Sequence, residues 1–261
     1  MRKKILYILF LLILILTACI LLYCTKHRNT VAIIGAMDDE INEIRNNLNY
    51  SKTIKKNDFI ITKGVLGNNN IVLAKSGVGK VAASTTTQFI IDNFKPIYII
   101  NTGIAGSLTS DLKTGDIIIG KNLVQHDFDV TAFGNPKGYI DNGIEPNKPT
   151  IFHSDEKLVE KFKKELNLNQ NKNIKLCTIA TGDIFVNQEK QKQVIRDEFN
   201  ANAIDMESAA IAQTAQRNNV PFIIIRTISD SESNSVSEYK QNKETSAIKA
   251  ALAILSVLQI N

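Results

Sequence analysis

The chain has 261 residues, 44% hydrophobic and 22% charged, with 31 basic and 26 acidic side chains for a formal charge of +5 at neutral pH. That composition supports a sizeable globular core and excludes a disordered, low-complexity or fixed-period repeat protein. Setting aside Arg2, Lys3 and Lys4, which belong to a targeting segment, leaves 28 basic against 26 acidic residues, a net of +2, so a nucleic-acid-binding role has little electrostatic support.

Three cysteines (Cys19, Cys24, Cys177) do not make a disulfide framework, and none has zinc-ligand spacing. His27, His126 and His153 are scattered, so no metal site is expected. The basic start is followed by an apolar run over 5–16 and then by Leu16-Thr17-Ala18-Cys19. A charged stretch, a hydrophobic stretch and small residues ahead of a cysteine resemble a bacterial lipoprotein signal. On that reading 1–18 is a signal peptide, Cys19 is the lipidated residue and 19–30 is a tether. The chain stays apolar to Cys24, however, and 5–24 has about the 20-residue length of an uncleaved membrane helix, which is the alternative. Both readings place the globular part outside the bacterial cytoplasm, in the periplasm or at the cell surface, because the basic end tends to stay inside.

Val31-Ala32-Ile33-Ile34 reads as a buried strand ending at Gly35, and 41–48 as a helix with its apolar stripe at Ile41, Ile44 and Leu48. Asp38, Asp39 and Glu40 before it fit ordinary capping, since acids in a first turn are favoured by the helix dipole. Strands over 59–65 and 71–75 join through Gly67-Asn68-Asn69-Asn70, a favoured hairpin composition. Ser76-Gly77-Val78-Gly79-Lys80 opens a helix running to residue 93. Its Gly-x-Gly-Lys lacks Walker spacing, and Ala82 stands where a dinucleotide fingerprint needs a third glycine, so neither phosphate loop is read here.

A buried strand over 97–100 leads into Asn101-Thr102-Gly103-Ile104-Ala105-Gly106-Ser107, whose small residues suit close approach of a ligand. A strand over 115–120 precedes a stretch mixing acids with aromatics, 125–134, and the irregular segment 135–150 reads as a lid. A surface helix follows over 157–166, then a strand over 174–181 leading to Gly182-Asp183-Ile184-Phe185-Val186, then a helix over 188–199. The polar chemistry centres on Ala203-Ile204-Asp205-Met206-Glu207-Ser208-Ala209-Ala210, which opens a helix through Gln216. An apolar strand over 221–225 ends in Arg226-Thr227-Ile228-Ser229-Asp230. In an open α/β sheet, polar residues just past a strand's carboxyl end sit where ligands bind. A carboxylate at a helix start and one after a buried strand therefore read as one site. A last helix runs to Leu258. Alternating strands and helices make the class α/β, with 31–261 as one domain.

Taken together, Ile34-Gly35-Ala36-Met37-Asp38-Asp39-Glu40, Ser76-Gly77-Val78-Gly79-Lys80, Asn101-Thr102-Gly103-x-Ala105-Gly106, Asp129-Val130-Thr131-Ala132-Phe133-Gly134, Thr181-Gly182-Asp183, Asp205-Met206-Glu207 and Ser229-Asp230 resemble one family. It is the bacterial 5′-methylthioadenosine/S-adenosylhomocysteine nucleosidases, within the nucleoside phosphorylase superfamily. The motifs stand in family order over nearly the whole chain after Thr30. The resemblance implies a three-layer α/β/α fold around a central mixed sheet and a homodimer. It also implies hydrolysis of the N-glycosidic bond to adenine in methylthioadenosine and S-adenosylhomocysteine, with 5′-deoxyadenosine a further candidate.

Such cleavage passes through a cation-like ribosyl transition state, so the leaving purine takes a proton and a water gives one up. The family pattern makes Asp230 the acid, aimed at adenine N7, and Glu40 the base holding the water. It makes Glu207 the acceptor of both ribose hydroxyls, with Met206 packed on the ribose, Phe185 stacked on adenine and the Val186 backbone reading the base edge. Arg226 and Ser229 support the acid and the water, while Met37, Val78, Val130 and Phe133 line the pocket for the 5′-thio substituent. This acid–base pair needs no metal and no organic cofactor. Asp38, Asp39 and Asp205 are read as structural, and Lys80 and His126 as packing or supporting residues. Two positions depart from the pattern: Ile104 replaces a common Ser near the water, and Asn135 a common Tyr after Ala-Phe-Gly.

Two rivals follow from the same residues. A phosphorylase on this fold needs a cationic phosphate cradle, whereas Met37-Asp38-Asp39-Glu40 is an acidic turn. A surface adhesin binding polyanions finds weak support in Lys161-Phe162-Lys163-Lys164 and Lys190-Gln191-Lys192, runs that usually form a solvated helix face.

Overall fold

The computed structural model describes residue 14 and residues 29–141, 147–170, 174–232 and 235–259. Cys19 and, apart from Leu14, the signal or anchor segment lie outside them. Among the described residues no helix is long and apolar enough to cross a membrane.

Strand β1 (Thr30–Gly35) alternates its side chains between two cores: Ala32 and Ile34 enter one, Val31 and Ile33 the other. A strand buried on both faces reads as a continuous apolar run rather than an alternating one. Helix α1 (Asp38–Asn46) includes the three acids, so it begins three residues earlier than its apolar stripe suggests. Three strands follow, β2 (Asn49–Lys56), β3 (Phe59–Leu66) and β4 (Asn69–Lys75), with β2 pairing β3 and β3 pairing β4, both antiparallel. Strand β2 has no counterpart in the sequence reading. It is the sheet's exposed edge, rich in lysine, and so lacks the apolar pattern by which strands are recognised.

Helix α2 (Lys80–Phe94) leads to β5 (Tyr98–Ser107), which continues through the glycine-rich stretch expected to follow the strand rather than belong to it. Strand β6 (Ile117–Gln125), a short 3-10 turn (Thr131–Phe133), β7 (Phe152–His153), α3 (Glu156–Gln170), β8 (Lys175–Thr181) and α4 (Glu189–Phe199) come next. The chain closes with β9 (Ala203–Asp205), α5 (Ser208–Arg217), β10 (Phe222–Asp230) and α6 (Ser235–Leu258). In β10, as in β5, residues expected beyond the strand end are strand residues: pairing with β5 runs from Phe222 to Asp230.

The sheet is mixed. Strands β4, β1, β5 and β10 run parallel side by side, and β10 pairs antiparallel with β6. Strand β6 pairs β8, β8 pairs β9, and β9 returns to β5, so five strands close into a ring beside the open β1–β4 portion. Helices α1, α3 and α6 cover one face with Ile41, Ile44, Phe162 and Ile254, while α2 and α5 cover the other with Ala83, Ile90 and Ile211. This is the three-layer α/β/α arrangement. Closure of the ring brings the carboxyl ends of β5, β9 and β10 to one place, and the site forms there.

Candidate active site

Four buried carboxylates line a single cleft of about 590 Å³: Glu40, Glu207 and Asp230, and also Asp205, which the sequence reading took as structural only. Glu40 sits in the third position of α1, and the capping reading of its acid is also true. Its Oε2 accepts the Ala36 and Met37 N–H groups at 2.6 and 3.1 Å, closing the helix start. Its Oε1 accepts the Ile104 N–H at 3.1 Å and stands 3.7 Å from Arg226 Nη1. Ile104, which has no hydroxyl, thus serves Glu40 through its backbone while its side chain forms cleft wall. Burial raises the Glu40 pKa, against the opposing pull of Arg226 and the three backbone donors.

Glu207 precedes α5. Its Oε1 accepts the Gly79 N–H at 3.0 Å, and its Oε2 is 3.5 Å from Arg226 Nη2. Gly79 has φ +97°, a conformation that L side chains rarely adopt, and a Cβ there would meet Asp183 Oδ1 at 2.9 Å. The glycine loop therefore aims its N–H at a protein carboxylate, which is why it is no phosphate cradle. Burial pushes Glu207 up to about 7, with Arg226 opposing and Asp205 and Glu40 adding to the rise.

Asp230 ends β10 where its register against β5 shifts between Ile228 and Asp230, opposite Gly106. Such an irregularity re-aims a side chain. A Cβ on Gly106 would lie 3.0 Å from Asp230 Oδ2, so the glycine keeps this space free. Ser229 Oγ donates to Asp230 Oδ1 at 2.7 Å. Burial raises the Asp230 pKa, while the Ser229 bond and the Lys192 ammonium pull it down.

Behind these acids lies Arg226, itself fully buried and not part of the cleft wall. Its Nη2 is 2.8 Å from Asp205 Oδ2 and donates to Asn101 Oδ1 at 2.9 Å. Arg226 thus serves the Glu40 and Glu207 side and Ser229 the Asp230 side, a division that the sequence reading left merged. Asp205, read as structural, anchors this guanidinium and accepts from Thr181 Oγ1 at 2.6 Å.

Met37, Val78, Phe185, Val186 and Met206 line the same cleft, with Val78 and Phe185 partly exposed at its mouth. Val130 and Phe133 do not. The turn that carries them is tied by Asp129 to Thr131 and ends at Gly134 with φ +82°, and it leaves Phe133 84% exposed. Within one chain, then, these two residues do not wall the pocket. Of the segment read as a lid, 142–146 lie outside the described residues. Among the described residues none of 135–150 lines the cleft, and the segment is bonded back on itself through Thr150 N–H to Gly138 O and Gly138 N–H to Phe128 O.

Sequence reasoning missed two residues here. Tyr239 of α6 lines the cleft, edge-on to Phe185 at 5.1 Å, with its hydroxyl 3.8 Å from Met37 Sδ. It lies in a polar stretch of helix with no motif around it. Lys192 was grouped with a surface basic run but is fully buried and 3.3 Å from Asp230. That burial breaks up one of the two patches offered for polyanion binding, and Phe162 in the other is core. Lys80 pairs with Asp127 at 2.5 Å, and His126 is buried outside the cleft wall.

The sequence profile of the Phosphorylase superfamily matches residues 30–259. The 5′-methylthioadenosine/S-adenosylhomocysteine nucleosidase of an Exiguobacterium species is 37% identical over 229 residues, covering 87% of this chain and 96% of its own. Among solved structures, the nucleosidase of the same name from Neisseria meningitidis, in complex with methylthio-immucillin-A, is 36% identical, with a TM-score of 0.83 over 89% of this chain and 100% of its own. Futalosine hydrolase of Helicobacter pylori is similar as well, 32% identical with a TM-score of 0.82 over 89% of this chain and 98% of its own. Ordered motifs, shared fold and full-length similarity agree, and the chain belongs to the 5′-methylthioadenosine/S-adenosylhomocysteine nucleosidases of the phosphorylase superfamily.

Proposed function

We propose that the cleft hydrolyses the N-glycosidic bond of 5′-methylthioadenosine and S-adenosylhomocysteine, releasing adenine. The observation that carries this reading is the convergence on one cleft of Glu40, Glu207 and Asp230, buried carboxylates in different surroundings, with Asp205 beside them held by Arg226. In the reaction Glu40 takes a proton from water, whose oxygen bonds to the ribosyl C1′ as the C1′–N9 bond breaks. Asp230 delivers a proton to adenine N7, so the base leaves neutral. Glu207 accepts hydrogen bonds from the ribose hydroxyls, and Met206 packs against the sugar. Phe185 stacks on the purine beside the Val186 backbone, and Met37 and Val78 meet the 5′-thio group. The raised pKa of Asp230 suits a group that must hold a proton before giving it away. A raised pKa at Glu40 makes a stronger base of its carboxylate.

Phosphorolysis is disfavoured by the wall itself. No Lys or Arg is among the described residues lining the cleft, and the nearest guanidinium, that of Arg226, is already engaged by Asp205, Glu207 and Glu40. A phosphate dianion would meet four acids, Glu40, Asp205, Glu207 and Asp230, and no free cation among the described lining residues. Adenine release from methylthioadenosine in phosphate-free buffer tests the reading. Turnover should be unchanged by added phosphate, and an absolute phosphate requirement would overturn it.

We further propose a homodimer in which Val130 and Phe133 reach the 5′ pocket of the second copy. The exposure of Phe133, which is absent from the lining of its own chain's cleft, supports this. The protein is held at the membrane through lipidated Cys19 or an uncleaved helix, with its catalytic part outside the cytoplasm. The apolar run and Leu16-Thr17-Ala18-Cys19 support that placement. Protease treatment of intact against lysed cells tests it.

A further inference from the structure

An ammonium buried out of water is costly unless partners replace its hydration. Lys192 on α4 is 0% exposed, and its Nζ has three acceptors: Ser231 O at 2.7 Å, Asp230 Oδ2 at 3.3 Å and Ser107 O at 3.4 Å. One turn along the same helix, Arg196 Nη1 donates to Glu232 Oε1 at 2.5 Å and to Leu108 O at 3.4 Å. Side chains four apart share a helix face. Helix α4 therefore grips the carboxyl ends of β5 and β10 together, at the point where β10 delivers Asp230 to the cleft. Arg196, partly exposed, is sufficient as a plain anchor. Lys192 is placed differently, deep and against the reacting acid.

Among the described residues the other groups facing Asp230 are few. Ser229 donates to Oδ1, and Gly106 leaves the space beside Oδ2 open. From α6 come Glu238, whose Oε2 accepts the Ser231 N–H at 2.6 Å, and the phenol of Tyr239. Glu238 opposes ionisation of Asp230, and Lys192 favours it.

We propose that Lys192 is a positioning residue for Asp230, fixing Oδ2 and stabilising the carboxylate that forms as the proton passes to the leaving base. The proposal rests on the reading of Asp230 as the acid. In the step itself the Asp230 O–H bond breaks, an N–H bond forms at purine N7, and the C1′–N9 electron pair goes to the base. Lys192 keeps all its protons throughout. The new negative charge on Asp230 lies beside an ammonium that is itself buried and already in place, the arrangement in which a fixed charge acts most strongly.

The sign of the consequence is definite. Asp230 must be protonated to react, so activity falls as pH rises through its pKa. A cation within hydrogen-bond reach lowers that pKa, by roughly 1–3 units for a close opposite charge. In K192M the alkaline limb of kcat/KM should move up by roughly 1 pH unit or more, while the plateau rate drops at least about tenfold because the acid is weaker. K192R keeps the charge and should hold the limb at its wild-type position. A packing role alone would alter stability and leave the limb in place.

The experiment is the pH profile of adenine release by the full chain for wild type, K192M, K192R and D230N, with thermal melts of these and of D230N/K192M. A K192M limb at the wild-type position overturns the proposal. If K192M does not fold but D230N/K192M does, the ion pair is established by the melts, since removing both charges restores what removing one destroys. If neither folds, Lys192 is a packing residue and the proposal is lost. D230N at full turnover would instead sink the reading of Asp230, an outcome distinct from an inactive D230N with an unshifted K192M.

Discussion

Arg226→Met takes away the guanidinium shared by Glu40 at 3.7 Å, Asp205 at 2.8 Å and Glu207 at 3.5 Å, all of them buried. Methionine fills much of the volume but leaves three acids facing one another. Removing one partner of a buried ion pair costs about 3–5 kcal/mol. For a domain of this size, with about 2–4 °C per kcal/mol, the midpoint of thermal unfolding should fall by about 6–20 °C. The loss should depend on pH in a fixed direction. Burial already raises Glu40 and Glu207, with Arg226 opposing it, so the variant raises both further. A carboxyl whose folded pKa lies above its unfolded value destabilises the fold above that folded pKa, and the cost fades as pH falls below it. R226M should therefore lie furthest below wild type near about pH 8 and recover much of the gap near about pH 5. Differential scanning calorimetry of both proteins across that range is the assay. A gap under about 1 kcal/mol, or a gap of equal size at both ends, would show that the cluster does not depend on Arg226 as the geometry requires.

Gly103→Ala should be nearly as damaging, since a Cβ there would lie 2.6 Å from Glu40 Oε1 and closer still to Arg226 Nη1. We expect loss of both stability and turnover, read by melts and steady-state kinetics, whereas Gly134→Ala, with nothing within 4 Å, should cost only the strain of its φ of +82°. D230N and E40Q should each lose about 10²–10⁴-fold in kcat while still binding substrate, as is typical of a removed acid or base. Glu207→Gln should raise KM as well as lower kcat, and a 2′-deoxy substrate should lose much of its penalty in that variant and little in the other two. A deoxy effect that singles out Asp230 instead would reverse the assignment. Exhaustive chelation should leave adenine release unchanged, and activity lost to a chelator and restored by one metal would show that the acid–base pair does not suffice.

The α/β class, most of the longer elements and the three acids Glu40, Glu207 and Asp230 were legible in one dimension, whereas β2, β7 and β9 were not. Buried strands such as β1 are runs of apolar residues, and each helix repeats its apolar positions at a fixed spacing, so local chemistry suffices to find them. Strand β2 escaped because its side chains are exposed and charged, and only its neighbour β3 makes it a strand. The ends of β5 and β10 escaped for a related reason. Gly103 to Ser107 and Arg226 to Asp230 carry the composition of loops, and it is mutual pairing, Arg226 opposite Gly103 and Asp230 opposite Gly106, that holds them extended.

The site divides along the same line. Sequence alone determined which acids exist, that they fall on family positions, and that no Lys or Arg stands in the turn before Glu40. Its local rules were also correct about Glu40 as a helix cap. Only the tertiary structure decided what each acid faces. Arg226 comes to lie behind two of them, Lys192 leaves an apparent surface run to bury itself against the third, and Phe133 turns out to solvent. These outcomes join residues far apart in the chain, 186 positions for Glu40 and Arg226 and 38 for Lys192 and Asp230. The free energy of a buried charge is set by the few groups packed against it, and no property of its sequence neighbours contains that information.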